Sequence, residues 1–350
     1  AVALVLLGIY EWHSYSRYGA GAFTDAVLYT PPDVAASGKP LLQRTLIALS
    51  FSGGCIAVLL YLSPLLLSRA RLAIASIAAL AVFGLLAALP VGKALLGNVS
   101  RSYYWPALAQ LALWIAAGLL ILALAAMDLA QRRDAHSLLL ALWLLGTYFF
   151  VAYLNWSVTA RTVLPMVAPA AILAVRRIED TRPWFKHSAW NWKTVAPLIL
   201  AAALSLSVAR ADYLLANSAR EAADSCARQL ATYPKTVYLL GHWGFQYYMQ
   251  EAGKKHIELD KANLEVGDIV ISPLNNTNVF PLQEGRVQSK AFVDFPVCCW
   301  VTPMFTGLGA GFYSDLWGPL PFAFGPVPPE RYRTSLIGKP GNPFDPSLWK

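Results

Sequence analysis

The stretch Tyr153–Leu173, YLNWSVTARTVLPMVAPAAIL, decides how the rest of the chain is read. An apolar run ends at Leu154, gives way to Asn155, Trp156, Ser157, Thr159 and Arg161, and then resumes. Two apolar runs joined by so few polar residues describe a tight turn between two helices that share lipid as their solvent. A bilayer crossing takes about 20 apolar residues, and the flanking runs, 137–154 and 161–176, are both short. Pro165 and Pro169 also make the second one irregular, which is tolerated where neighbouring helices protect the backbone.

Composition points the same way along the whole chain. Only 14% of the 350 residues are charged and 57% are hydrophobic, with a mean hydropathy of +0.46. Soluble domains carry about 25% charged residues, so this chain has too little polar surface to face water throughout. Twelve Trp and sixteen Tyr suit a protein anchored at membrane interfaces. A net charge of +8 is compatible with nucleic acid, but the basic residues sit in short loops between apolar runs, so no nucleic-acid partner is expected.

Apolar runs predict the end of one helix at 1–9 and spans near 45–67, 72–90, 107–127, 137–154, 161–176 and 194–211. AVALVLLGIY is about half a span with no charged leader, so the chain is expected to begin within a helix of a longer protein. Every second loop is basic. Loops 68–71, 128–136 and 177–193 hold Arg69, Arg71, Arg132, Arg133, Arg177, Arg182, Lys186 and Lys193, with Arg176 at a boundary. The alternate loops 91–106 and 155–160 hold only Lys93 and Arg101, with Arg161 at an edge. The positive-inside rule makes the basic set cytoplasmic. Loop 10–44, the break at 155–160 and everything after 211 are then extracytoplasmic, in a plasma (inner) membrane.

After residue 211 the pattern changes. KTVYLLG reads as a strand, HWGFQYYMQEAG as a short helix stopped by Gly253, and GDIVISPLNN as a second strand. Strand, helix and strand at this spacing imply a small α/β domain with part of its sheet parallel. From Phe295 onward Pro, Gly and aromatics dominate, as in GFYSDLWGPLPFAFGPVPPERY, which suits an irregular segment packed on a surface. The expected architecture is a multi-pass α-helical region, 1–211, followed by a small extracytoplasmic α/β domain, 212–350.

Several groups of residues can carry chemistry. Arg161 at the end of a span can grip a phosphate with forked hydrogen bonds, with Asn155 and the nearby hydroxyls orienting a sugar or diphosphate. The same residues can equally close a tight turn while Arg161 snorkels to headgroups. In EWHSYSRYGAGAFTDAVLYTPPD (11–33), Arg17 and Tyr18 with Asp25, Tyr29 and Asp33 suit an interfacial segment, or a lipid-phosphate contact by Arg17. Glu11, Asp25 and Asp33 are the carboxylates available there as a base. His242 follows a strand, where open α/β sheets bind ligands, although a packing or capping role is the plainer reading. GLGAGF (307–312) lacks the Lys-Ser/Thr of a phosphate loop. Cys226 is in a position to pair with Cys298 or Cys299 outside the cytoplasm, with free thiols the simpler alternative. No spacing suggests a metal or cofactor motif.

These stretches resemble a known group. NWSVTARTVLPMVAPAAIL resembles a segment of bacterial multi-pass glycosyltransferases related to protein mannosyltransferases and the lipid A aminoarabinose transferase. VYLLGHWGFQYYMQEAG and GFYSDLWGPLPFAFGPVPPERY look like the C-terminal region of members of that group, and the likeness spans roughly residues 10–335. The resemblance implies a GT-C architecture and hexosyltransferase-like transfer of a sugar from a polyprenyl phosphate to a protein, glycan or lipid acceptor of the cell envelope. It implies no cofactor. It also implies that the catalytic carboxylate lies in a loop preceding Ala1. Arg161 and Asn155 are the best-matched donor-phosphate residues, and Arg17 and Tyr18 are weaker matches. The alternative is a non-catalytic transporter or scaffold of lipid-linked glycans with a glycan-binding exported domain.

Overall fold

The apolar runs fold into helices. In the computed structural model, every residue is described except 1, 20, 23, 26–37, 187–190, 259–261, 278 and 345–350. The chain divides into two compact units, one formed by Ala1–Leu204 with Pro303–Ala323, the other by Ser205–Thr302 with Phe324–Lys350. The regions expected from sequence, 1–211 and 212–350, differ from these units chiefly at 303–323. That segment belongs with the helices because its aromatic and apolar residues find their burial there.

The first unit contains α1 (Val2–Tyr18), α2 (Leu41–Cys55), α3 (Val58–Leu66), α4 (Arg69–Ala88), α5 (Pro90–Leu95), α6 (Tyr104–Arg132), α7 (Ala135–Phe149), α8 (Ala160–Val163) and α9 (Val167–Thr181). A further helix, α10 (Trp192–Gln229), begins in this unit and continues into the second. Among the described residues four helices are long and apolar enough to cross a membrane, or five if the bent pair α2–α3 counts as one span. Three expectations change. The first helix runs on to Tyr18, tolerating Gly8 and ending where Gly19 adopts a positive φ. The run 45–67 is not straight, since α2 and α3 meet at 81°. The run 161–176 is divided into α8, a 3-10 turn at Leu164–Met166 and α9, with Pro165 in the turn and Pro169 just inside α9.

The most extensive packing in the helical unit is of α2 along α6. Small residues allow it. A Cβ on Gly118 would lie 2.2 Å from the Leu49 carbonyl oxygen, and one on Gly53 would lie 1.9 Å from that of Trp114. Close backbone approach of this kind is how helices gain packing energy where lipid removes the hydrophobic incentive. Around this seam Ile47, Phe51, Leu108, Leu111 and Ile115 are fully buried. By contrast α4 buries little of itself, and Ile74, Ile77 and Leu80 are exposed on it.

The loops gather as the charge alternation groups them. At one end, Arg132 pairs with Asp128 (3.1 Å) and Asp180 (2.9 Å), Arg176 pairs with Asp128 (3.1 Å), and Arg177 and Arg182 donate to carbonyls at the end of α3. At the other end, segments 39–44, 94–100, 155–160 and 306–319 meet. The 29 residues of α6 separate the two ends, a distance of about 43 Å at 1.5 Å per residue.

The second unit is built on a five-stranded sheet with order β2-β1-β3-β5-β4, where β1 is Val237–Leu239, β2 Lys255–His256, β3 Ile269–Pro273, β4 Val287–Phe295 and β5 Glu330–Ile337. Strand β1 is parallel to both β2 and β3, while β5 runs antiparallel to β3 and β4. Helix α11 (Trp243–Glu251) connects β1 to β2 and packs Phe245 and Met249 against Val237, Leu239, Ile269 and Ile271. The two strands and short helix read from sequence are all present. The antiparallel strand β5 is not legible in ERYRTSLI, because its polar residues alternate with residues that only the sheet buries. All four cysteines are free thiols.

Candidate functional site

The break that separates α7 from α8 is a structured loop. Helix α7 ends in a π turn at Phe150–Leu154, and the Asn155 amide donates back to the Phe150 carbonyl at 2.9 Å. The Asn155 side-chain amide then donates to the Ser157 carbonyl, and Arg44 donates to the carbonyl of Asn155. Thr159 caps α8, accepting from the Thr162 amide at 3.2 Å while the Thr162 hydroxyl accepts from the Thr159 amide at 3.3 Å. This reciprocal arrangement satisfies two helix-end donors within four residues of chain.

A second segment staples the loop in place. Asp315 accepts from the Ser157 hydroxyl at 2.8 Å and from the Val158 amide at 2.9 Å through the same carboxylate oxygen. Its own amide donates to the Val158 carbonyl at 3.0 Å, and Ala160 donates to the Phe312 carbonyl at 2.9 Å. Lys39 pairs with the other Asp315 oxygen at 2.5 Å and donates to the Asp315 carbonyl at 3.1 Å. Ser157 is 2% exposed and Asp315 9%, so this carboxylate is buried with its charge matched. The segment can lie so close because Gly318 meets Gly309 backbone to backbone: a Cβ on Gly318 would sit 2.2 Å from the Gly309 carbonyl oxygen. The glycines of GLGAGF thus serve chain packing. Beside the ion pair is a cavity of about 140 Å³, whose lining includes Lys39, Gln43, Asn98, Asp315 and Trp317.

Compared with known proteins, this chain matches no family model, no curated protein and no solved structure.

Of the residues singled out from sequence, Asn155 and Arg161 lie in this loop layer. Asn155 is half-buried, with its amide nitrogen and carbonyl committed to shaping the turn. Arg161, in the first turn of α8, is exposed, and its guanidinium has no hydrogen-bond or ion-pair partner among the described residues. Leu154 and Leu164, on either side, are 62% and 60% exposed. Arg17 and Tyr18 end α1, also exposed, and no contact among the described residues joins them to Asn155 or Arg161. Glu11 accepts from the Thr24 amide at 2.9 Å and from its hydroxyl, which commits one carboxylate of that loop to local structure. Asp25 is exposed, whereas Tyr29 and Asp33 lie outside the described residues.

Sequence reasoning missed Lys39, Arg44 and Asp315. The available signal was weak: Asp315 is a lone carboxylate in an aromatic and glycine-rich stretch, and such isolated charges are conspicuous only once their burial is known. Chemically, the layer offers Lys39, Arg44 and Arg161 as cations, with Lys93 and Arg101 bordering its 94–100 segment. Lys39 is neutralised by Asp315 and Arg44 is engaged by a backbone carbonyl, whereas Arg161 and Arg101 are exposed guanidinium groups, and of the two Arg161 lies at the break itself.

Proposed function

We propose that this protein is an integral-membrane glycosyltransferase that moves a sugar from a polyprenyl-phosphate donor to an extracytoplasmic acceptor, with Arg161 gripping the donor phosphate. The observation that carries this reading is the setting of Arg161: an exposed, unpartnered guanidinium in a polar loop layer that caps apolar helices. A polyprenyl phosphate has the same polarity profile, with an anionic head at the interface and an apolar tail in lipid. Leu154 and Leu164, before and after Arg161 in the chain, are exposed apolar side chains suited to lipid.

Sugar transfer leaves a lipid phosphate that gains negative charge as the anomeric bond breaks. A guanidinium fork matches two phosphate oxygens, and it stabilises that leaving group more as its charge develops. Arg44, fixed by the Asn155 carbonyl, adds positive potential from the same layer. The role of Asn155 in this reading is to hold the turn that sets Arg161 at its edge. Charge alternation supports an extracytoplasmic address for the layer, and the resemblance to polyprenyl-phosphate-sugar enzymes supports the donor class.

The test is Arg161→Ala in the membrane-embedded protein with a radiolabelled polyprenyl-phosphate hexose. Transfer should fall by about 100-fold, donor binding should weaken, and Arg161→Lys should recover only part of both, since an ammonium lacks the fork. If Arg161→Ala binds donor and transfers sugar like the parent, the phosphate role is wrong. Donor binding without any transfer by the parent protein would favour a carrier or scaffold of lipid-linked glycans.

A further inference from the structure

We propose that the α/β unit carries a carbohydrate-binding site at the C-terminal edge of its parallel strands, where Trp243 and Tyr247 form a stacking platform for a neutral pyranose and His242 and Gln246 meet its hydroxyls. The proposal uses residues of the second unit alone and does not rest on the lipid-phosphate reading.

Topology selects the place. Strand β1 lies between β2 and β3 and is parallel to both. The chain leaving β1 turns through α11 towards β2, and the chain leaving β3 goes the other way, towards β5 and β4. Connections that diverge from adjacent parallel strands open a crevice at their C-terminal ends, and open α/β sheets bind ligands there. The strand ends bring together Gly241 and His242 after β1, His256 at the end of β2, Asn275 and Asn276 after β3, and Glu330 at the start of β5.

These residues are held in place. Asn276 clamps the turn after β1, accepting from the His242 amide at 2.9 Å and donating to the His242 carbonyl at 3.3 Å. The His242 ring meets the Gln246 side-chain oxygen through Nδ1 at 2.8 Å and stacks on His256, with centroids 5.7 Å apart. Asn275 donates to the buried Glu330 carboxyl at 2.8 Å.

Trp243 is the anomaly. It opens α11 at φ 61, in the left-handed region where a side chain is strained. Among the described non-glycine residues only Arg133 shares this region, and Arg133 is a helix C-cap, where that conformation is common. A glycine at 243 would remove the strain. Instead the position holds the largest side chain available and leaves it 49% exposed, so the indole does not repay its cost through burial. Tyr247 lies one turn further along α11 and is 62% exposed. Strain and exposure together at one aromatic residue mark a binding position.

The surrounding chemistry selects the ligand. The strand ends gather indole, phenol, imidazole, amide and carboxyl groups, and none of these described residues is an arginine or lysine. Aromatic faces pack on the C–H faces of a pyranose, while amide and imidazole groups donate to and accept from hydroxyls. Burial pushes the Glu330 carboxyl up to about 7, opposed by the Asn275 hydrogen bond, and burial with the adjacent His242 lowers the His256 pKa. The charge at this edge is therefore only partial or negative, from Glu330 and from Glu258 near His256, which fits an uncharged ligand better than a phosphate.

The test uses the full-length protein in a detergent without a sugar headgroup, probed by saturation-transfer NMR with mannotriose, maltotriose and chitotriose. At least one should receive magnetisation on its ring protons, and Trp243→Gly and Tyr247→Ala should each weaken that binding by at least about tenfold. Trp243→Gly should also show a Tm no lower than the parent. If none of the probes binds, or if Trp243→Gly binds undiminished, the proposal is wrong. If Trp243→Gly lowers Tm, the exposed Tyr247 decides: weakened binding in a stable Tyr247→Ala supports the site, and unchanged binding overturns it.

Discussion

Asp315 shows how much one side chain can organise. Its carboxylate accepts from Ser157 and the Val158 amide and pairs with Lys39, joining parts of the chain separated by up to 276 positions. Replacing it with Ala would leave the buried Val158 amide without its acceptor, reduce the Ser157 hydroxyl to its bond with Ser314, and leave the Lys39 ammonium with only a backbone carbonyl. Asp315→Ala should cost about 2–3 kcal/mol, as breaking a buried pair does after allowance for the partial exposure of Lys39. Asp315→Asn, which keeps one acceptor oxygen for the loop, should cost clearly less. Thermal unfolding in detergent distinguishes them, and equal Tm values for all three proteins would show that the staple contributes nothing. None of this was legible in GFYSDLWG, because these partners of Asp315 lie 157 to 276 positions earlier in the chain. Arg161 was legible, since an arginine beside an apolar run is conspicuous wherever the chain goes.

Among the helices, local pattern and packing divide the work. Hydropathy places α4, α6 and α7 within a few residues of their ends, because about 20 apolar residues in succession have few alternatives to a membrane-length helix. The bend between α2 and α3 has no such signature, since it depends on how Gly53 and Gly54 pack against α6 and the 303–323 segment. The same geometry gives a paired prediction. Gly118→Ala should destabilise the protein by about 1–3 kcal/mol, because the new methyl meets the Leu49 backbone and α2 must move. Gly84→Ala on α4, where a Cβ meets nothing within 4 Å, should be neutral or stabilising by up to about 1 kcal/mol. Urea or thermal unfolding of the two variants side by side checks the ordering. A stabilised Gly118→Ala would mean that the α2–α6 seam is looser than its backbone spacing indicates.

For the molecule as a whole, the charge of the loops carries the orientation proposed for it. Arginines concentrate at one end of the helical unit and tie 128–137 to 176–182 and the end of α3, while segments 39–44, 94–100, 155–160 and 306–319 meet at the other. A topology reporter fused after Thr232 should be active only as an exported enzyme, and one fused after Arg133 only in the cytoplasm. Activity on the reversed sides would overturn the proposed orientation and with it the extracytoplasmic address proposed for Arg161. Composition and the period of the apolar runs were enough to establish apolar helices, their approximate limits, the two sets of loops and a small α/β region near the C-terminus. Those properties depend on neighbours in the chain and on the solvent each segment prefers. Folding alone decided that 303–323 leaves the α/β region to join the helices, that Asp315 and Lys39 meet at the break after α7, and that Trp243 is strained just after β1. Each of these depends on residues far apart in sequence, whose encounter is set by packing and by the need to pair every buried polar group.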